Sequence, residues 1–400
     1  MVNFFNKEIK LWNINVMDFF VLIIITCMAI YIRVIFIDLQ FPDYTICLKP
    51  WVESFKEFGG FAGLKYEIGN YTPAYMHILM LISYFNVEPI YLIKSVGIVV
   101  DIVLAFVVSA LIAKGQSKSK KILVYSIVLM LPTVLANSGI WGQCDNIYTV
   151  FILLAWYFAL KQVDRKWSIG TDDFVMLFLG CAFSFKLQTI FILPVIAIIF
   201  LKHNYRIRTL LWIPIVYCIT LIPSWLAGRG VLDLLTIYFR QSQDFQDLQL
   251  KFPNVYSFWQ FKGMDADISL ACILFCGMSL VVFTYYLYNK NFSINVEFIC
   301  KFTTFSVLFI TFFLPHMHDR YAYIAEITSL YYLIDKKKKL WIPILINIIG
   351  LESYSETLFW FSFQGFNLVG AIWRIVLIIR VGMDIMEMVS AKKEEKELAM

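Results

Sequence analysis

Charge is what this chain has least of. Asp, Glu, Lys and Arg together make up 16% of its 400 residues, against about 25% in an ordinary soluble domain. Hydrophobic residues fill 60% of the chain and the mean hydropathy is +0.72. A soluble protein this apolar would expose large patches and aggregate, so a soluble fold is excluded, as are disorder, collagen and coiled coil. The net charge of +5 creates no basic field able to hold nucleic acid. The eight cysteines form no disulfide framework. Cys27, Cys181, Cys218, Cys272, Cys276 and Cys300 lie in apolar runs, where a thiol is a small hydrophobe. Cys272 and Cys276 are four apart on one helix face, with no His or second pair nearby to complete a metal site. There is no low-complexity segment and no obvious internal repeat, which argues against inverted-repeat transporter folds. The apolar stretch from Phe19 to Ile37 follows Lys7 and Lys10 but precedes no small-residue cleavage site. It therefore reads as a signal anchor with the N-terminus inside.

What is abundant is apolar helix-forming sequence and aromatic side chains, 18% of the chain. Tyr and Trp suit membrane interfaces because one end of each ring is polar. A membrane span needs about 20 apolar residues. Candidate spans are Asp18–Ile37, Tyr91–Ala113, Ile122–Ser138, Ile147–Leu160, Asp173–Phe185, Gln188–Leu201, Leu210–Leu226, Ile268–Tyr288, Phe298–Leu314, Tyr321–Ile334, Leu340–Leu351 and Phe366–Met383. Basic clusters at Lys114–Lys121, Lys161–Lys166, Lys202–Arg208, Lys290, Lys336–Lys339 and Lys392–Lys396 sit in the gaps and mark them as cytoplasmic. Parity then makes Pro73–Asn86 a segment that dips in without crossing. The pair Asp173–Leu201, broken at Lys186, reads as two short spans or a re-entrant hairpin. The expected architecture is an all-α polytopic membrane protein of about twelve transmembrane helices, one domain over 1–400, both termini inside. Two long external loops cover 38–72 and 227–267, the first carrying interfacial helices. Three short external turns lie at Gly139–Asn146, around Lys186, and at Pro315–Arg320.

Polar chemistry concentrates in these five places. In the first loop, Asp38 and Asp43 follow directly on the first span, and Thr45–Phe58 interleaves Ile46, Trp51, Val52, Phe55 and Phe58 with charged residues. That pattern predicts a short interfacial helix ended by Gly59-Gly60. In Trp141-Gly142-Gln143-Cys144-Asp145-Asn146, turn chemistry explains Gly142, Asp145 and Asn146 but requires neither Trp141 nor Gln143. Lys186 between two apolar runs either snorkels to the interface or faces a cavity or an anion. Pro315-His316-Met317-His318-Asp319-Arg320-Tyr321 holds two of the four histidines beside an acid and a guanidinium. An Asp319–Arg320 pair could simply brace the turn. Arg beside His is also a sensible phosphate clamp, because the guanidinium is a planar fork of donors.

Asp43-Tyr44, Pro50-Trp51, Asn70-Tyr71-Thr72-Pro73-Ala74-Tyr75, Trp141 to Asp145, Lys186-Leu187-Gln188 and Pro315 to Tyr321 occur in one order and on one predicted face. In these motifs the chain resembles the GT-C superfamily of integral-membrane glycosyltransferases, and more narrowly the bacterial relatives of the mannosyltransferase that adds the second mannose to GPI anchors. Ala74 stands where relatives often carry a second proline. The resemblance implies a hexosyltransferase that moves a sugar, mannose among the candidates, from a polyprenyl-phosphate donor to a cell-surface glycan or glycolipid acceptor at the outer membrane face. Its partners would be that donor, the acceptor and the bilayer, without nucleic acid.

The resemblance also implies a catalytic acid just after the first span. Asp43 matches, with Asp38 the alternative. A carboxylate there would take the acceptor hydroxyl's proton. The leaving lipid phosphate needs cations rather than a proton donor. Donor phosphate binding falls to His318 and Arg320, with Lys186 as a third group. Asp145 and Gln143 are sugar- or acceptor-binding groups, and Asp145 could share the base role. Tyr44, Trp51, Asn70, Tyr71, Trp141, Gln188, His316 and Tyr321 complete the expected substrate wall. No cofactor is implied, and a divalent metal is not indicated, because the first loop holds no Asp-x-Asp. Two other functions compete. Arg229 and Arg240 in the second loop would suit a polysaccharide polymerase using a lipid-pyrophosphate oligosaccharide. Asp101, inside the span Tyr91–Ala113, would suit a lipid-linked sugar flippase, or else it is a helix-packing residue.

Overall fold

Apolar runs become helices here because a helix satisfies every backbone group within one segment, without water. The computed structural model describes residues 8–9, 14–161, 169–241, 247–258, 264–335, 339–361 and 363–397. Lys7, Lys10, Arg165, Lys166, Lys336, Lys337 and Lys338 of the predicted basic clusters lie outside them. In chain order the main helices are α1 (Val16–Ile35), α2 (Lys49–Glu57), α3 (Pro73–Ile82), α4 (Pro89–Ile112), α5 (Lys118–Met130), α6 (Asp145–Ala159) and α7 (Thr171–Phe185). They continue as α8 (Leu193–Lys202), α9 (Trp212–Leu226), α10 (Asp265–Tyr288), α11 (Val296–Phe313), α12 (Tyr323–Thr328), α13 (Trp341–Leu358) and α14 (Phe366–Glu397). Among the described residues, extended pairing is limited to two-residue bridges, one of them parallel between Gln249–Leu250 and Met317–His318.

Among the described residues, five helices are long and apolar enough to cross a membrane: α1, α4, α9 with its lead-in from Ile207, α10 and α11. A sixth results if Lys118–Met130 and Pro132–Trp141, bent by 44°, form one span. The bend falls at Pro132, which has no N–H to continue the ladder. Of the remaining predicted spans, Leu340–Leu351 and Phe366–Met383 fall in the long helices α13 and α14, and the others are shorter pieces. Tyr321–Ile334 is α12 followed by a tight 3-10 turn, Ser329–Leu333. The ten residues of α3 extend about 15 Å at 1.5 Å per residue, roughly half a hydrocarbon core.

Burial separates outer from inner helices. Only 11% of the apolar window of α10 is buried, and 17% of that of α1, so both present apolar side chains that water would not tolerate. By contrast 78% of the window of α11 is buried. Its phenylalanines recur at helical spacing, with ring centroids 5.4 Å apart for Phe298–Phe302, 5.5 Å for Phe305–Phe309 and 4.8 Å for Phe309–Phe313. Much of the aromatic excess is therefore core packing.

One charged network is fully buried among the helices. Arg33 on α1 pairs with Asp101 on α4 at 2.9 Å, and Asp101 also accepts Nδ2 of Asn146 at 2.8 Å and the Ser138 hydroxyl. Asp101 is thus engaged in packing α1, α4 and α6 together. Close approach makes this possible: a Cβ on Gly139 would lie 2.6 Å from Cγ of Arg33.

Candidate active site

The irregular backbone between helices converges on a single cavity of about 620 Å³. Its walls come from every external motif found in the sequence. Asp43 opens a wide π-type turn, Asp43–Leu48, that runs straight into α2. A helix therefore forms at the predicted place, and Gly59 ends it with φ +77. Its apolar stripe is turned to protein: Val52 and Phe55 are buried with Leu79, Met76 and Tyr75 of α3. This packing makes the turn carrying Asp43 part of a fixed wall.

Gln143 reaches the cavity because Gly142 takes φ +83, where a side chain would be strained, and reverses the chain after Trp141. The Gln143 N–H then donates to the Asn137 carbonyl at 2.8 Å. Lys186 enters because α7 stops at Phe185 and the next residue is extended, φ −148 and ψ 137. The helix end leaves carbonyls without partners. The Thr72 hydroxyl donates to those of Ser184 at 2.7 Å and Phe185 at 3.2 Å, which ties the first loop to this break.

Arg320 is the electrostatic centre. Asp319, Asp43 and Asp145 lie 3.4, 3.6 and 3.7 Å from its guanidinium. Three carboxylates hold it at ion-pair range, yet its Nε is buried without a hydrogen-bond partner among the described residues. The Trp141 ring lies beneath it at 5.0 Å, braced edge-on by Tyr354 at 5.6 Å.

The two proposed acids have different surroundings. Asp145 is fully buried and does not line the cavity; Oδ1 meets Nζ of Lys186 at 2.5 Å and Oδ2 accepts Nδ2 of Asn137 at 3.0 Å. That geometry suits a counter-ion and leaves no lone pair facing a substrate. Asp43 is 36% exposed and lines the cavity. Nε2 of Gln143 donates to its Oδ2 at 2.5 Å, the oxygen that also faces Arg320. Its Oδ1 has no hydrogen bond among the described residues and is free to accept one. Asp38, the alternative acid, accepts the Tyr91 hydroxyl at 2.7 Å and is absent from the cavity wall.

Lys186 is 5% exposed and sits between the Tyr71 and Tyr148 rings, each 5.9 Å away. Burial works against its charge, but Asp145 outweighs burial and holds the ammonium well above its ordinary pKa. His318 behaves oppositely. Burial, with Arg320 and Lys186 nearby, pushes it down to about 3, so at neutral pH it is an uncharged donor or acceptor. Burial raises Asp319 to about 6 against the pull of Arg320, and the Thr357 hydroxyl donates to it at 3.2 Å.

Trp51, Asn70, Tyr71, Trp141, Gln188 and Tyr321 also line the cavity. Besides Asp145, two predicted residues do not. The buried Tyr44 donates its hydroxyl to Glu88 at 2.6 Å. His316, with φ +60, uses its N–H and Nδ1 to hold the backbone of Leu248 at 3.1 Å and Asp247 at 2.8 Å. It registers the second long loop against the His318 turn and is structural. In that loop Arg229 and Arg240 pair with Asp233 and Glu67 and stay out of the cavity. Gln243 and Asp244 lie outside the described residues. Sequence reasoning missed Lys251, Glu356, Thr357 and Trp360, which line the rim. No local motif marks them; the one signal was the polar end of α13, Glu352 to Thr357, in an apolar chain. Among the described residues no group of three His, Cys, Asp or Glu side chains is arranged to hold a metal. The chain matches no family model, and no curated protein matches it.

Proposed function

We propose that this protein is a GT-C-like membrane glycosyltransferase that moves a hexosyl group from a polyprenyl-phosphate donor to a hydroxyl of a cell-surface glycan or glycolipid. The proposal includes about twelve spans, cytoplasmic termini and a cavity opening on the outer face. The observation that carries it is the pairing of Asp43 and Arg320 in one cavity. The carboxylate has an unengaged Oδ1, and the guanidinium 3.6 Å away is 13% exposed and lines the same cavity.

An incoming phosphate would meet the cavity face of the guanidinium, and its charge would be matched by Arg320 and Lys186 in a water-poor wall. The acceptor oxygen then bonds to the anomeric carbon as the C1–O bond to phosphate breaks. The hydroxyl proton passes to Asp43, and the lipid phosphate leaves with its electron pair. One carboxylate and one displacement lead to inversion. Gln143 holds the carboxylate in place, and neutral His318 and Gln188 supply hydrogen bonds to sugar or phosphate.

The residues that motivated the polymerase, Arg229 and Arg240, are engaged with Asp233 and Glu67, and Asp101, which motivated the flippase, is engaged with Arg33. The test supplies purified protein with a polyprenyl-phosphate hexose and a glycan acceptor. Asp43→Asn is expected to lower turnover by about 10²–10⁴-fold with unchanged unfolding. Full activity in that variant would remove Asp43 as base. A product ladder in place of one added sugar would favour polymerisation.

A further inference from the structure

The cavity is not uniform. At its inner end Lys186 and Arg320 are 5% and 13% exposed. At its rim Lys251 and Glu356 are 47% and 43% exposed and form an ion pair at 3.3 Å that joins the second long loop to the end of α13. One residue after Glu356, Thr357 bonds to Asp319 and so connects this rim directly to Arg320.

Trp360 is the unusual member of the rim. Its backbone lies at φ +56, a conformation that a bulky residue rarely adopts, and 80% of the residue is exposed. The segment is held there: the Ser355 hydroxyl donates to the Phe361 carbonyl at 2.8 Å, and the Phe363 N–H donates to Glu352 at 3.1 Å. Backbone strain kept in place by surrounding bonds is a feature of binding sites. Phe359, Phe361 and Phe363 are also exposed but do not line the cavity, whereas Trp360 does. Of these four exposed aromatics, only the indole joins the cavity wall.

We infer that this rim is a saccharide subsite: Trp360 supplies a stacking face for a hexopyranose ring, and Glu356 and Lys251 supply hydrogen-bond partners for its hydroxyls. A sugar ring is uncharged, with an apolar C–H face and polar edges. It matches an exposed aromatic flanked by a carboxylate and an ammonium, while the buried inner end suits an anion. Identifying the bound ring as the acceptor rests on the transferase reading. The subsite itself does not, because it can be measured without any reaction.

The experiment is saturation-transfer NMR on the full chain in lipid nanodiscs, which avoids sugar-headed detergents. The probes are the methyl α-glycosides of mannose, glucose and galactose. Saturation is expected on the ring protons of at least one glycoside. Trp360→Ala should weaken that glycoside's binding about fivefold, the worth of one aromatic contact, and Trp360→Phe should retain it. The high exposure of Trp360 means that its replacement should leave the unfolding midpoint unchanged, which is checked in parallel. Binding to no glycoside, or equal binding by Trp360→Ala, overturns the subsite. So does loss of brominated-lipid quenching in Trp360→Phe, since the indole would then lie in the bilayer. Glycoside binding without transfer from any polyprenyl-phosphate hexose would leave the subsite standing and overturn the proposed reaction.

Discussion

Replacing Lys186 by Met tests the core of the site, because it separates a counter-ion from a base. The substitution keeps the length of the stem and removes the ammonium 2.5 Å from Asp145. Asp145 has no exposed surface, and it would retain only Asn137 at 3.0 Å and Arg320 at 3.7 Å. Breaking one side of a buried pair costs about 3–5 kcal/mol, and the remaining Arg320 contact puts this case near 3. Asp145→Asn strands Lys186 between two rings at 5.9 Å, the outer limit of a cation–π contact, so a similar loss is expected. The double variant removes both charges and should lie within about 1 kcal/mol of the parent, because neither partner is left unpaired. The coupling energy should then be about 5 kcal/mol in magnitude. The assay is reversible unfolding in mixed micelles by SDS titration, followed by tryptophan fluorescence, with sugar transfer measured on the same samples. The double variant should be stable but slow, since the leaving phosphate has lost a cation. A coupling below about 0.5 kcal/mol would refute the reasoning: Lys186 and Asp145 would not be committed to each other, and Asp145 would be available as a base.

The acid limb of stability should carry two opposite contributions. His318 is depressed from 6.5 to about 3, so its contribution is complete above 6.5 and is lost as pH falls towards 3. Asp319 is raised from 3.8 to about 6, so its contribution is complete below 3.8 and is lost as pH rises through about 6. Unfolding titrations between these limits should show His318→Gln gaining on the parent as pH falls and Asp319→Asn gaining as pH rises; parallel curves would exclude both assignments. Arg33→Met leaves Asp101 buried with only Ser138 and Asn146 and should destabilise the fold by about 3–5 kcal/mol, read as a lowered unfolding midpoint. Gly142→Ala meets no contact closer than 3.7 Å but must hold φ +83. Its stability loss should be only about 1–2 kcal/mol, with a larger fall in transfer because Gln143 and hence Asp43 shift.

Much of this site could be read along the chain because its parts are interruptions of an apolar pattern. A lysine between two apolar runs, a Gly-Gly after an amphipathic stretch and a His-Asp-Arg turn are local departures, and the folded chain breaks its helices at each of them. The membrane class follows from composition alone, since nothing soluble can bury so many apolar residues at this charge density. Span count was less legible. Runs of similar hydropathy become a 24-residue helix in α10 and a six-residue helix in α12, because tertiary neighbours rather than propensity decide where a buried helix stops.

What packing alone decided is the division of labour among like residues. Asp43 and Asp145 are both acids in turns between apolar runs; one meets Gln143 across 100 positions and keeps an open oxygen, the other meets Lys186 across 41 and is consumed. His316 and His318 are two residues apart, yet one pins a loop and the other lines the cavity. Trp360, Glu356 and Lys251 join the site from α13 and the second long loop with no motif to announce them. The physical reason is range. Hydropathy, turn chemistry and helix breaks act over a few residues and are written locally, whereas the charge state and partner of a side chain depend on which distant groups share its low-dielectric surroundings.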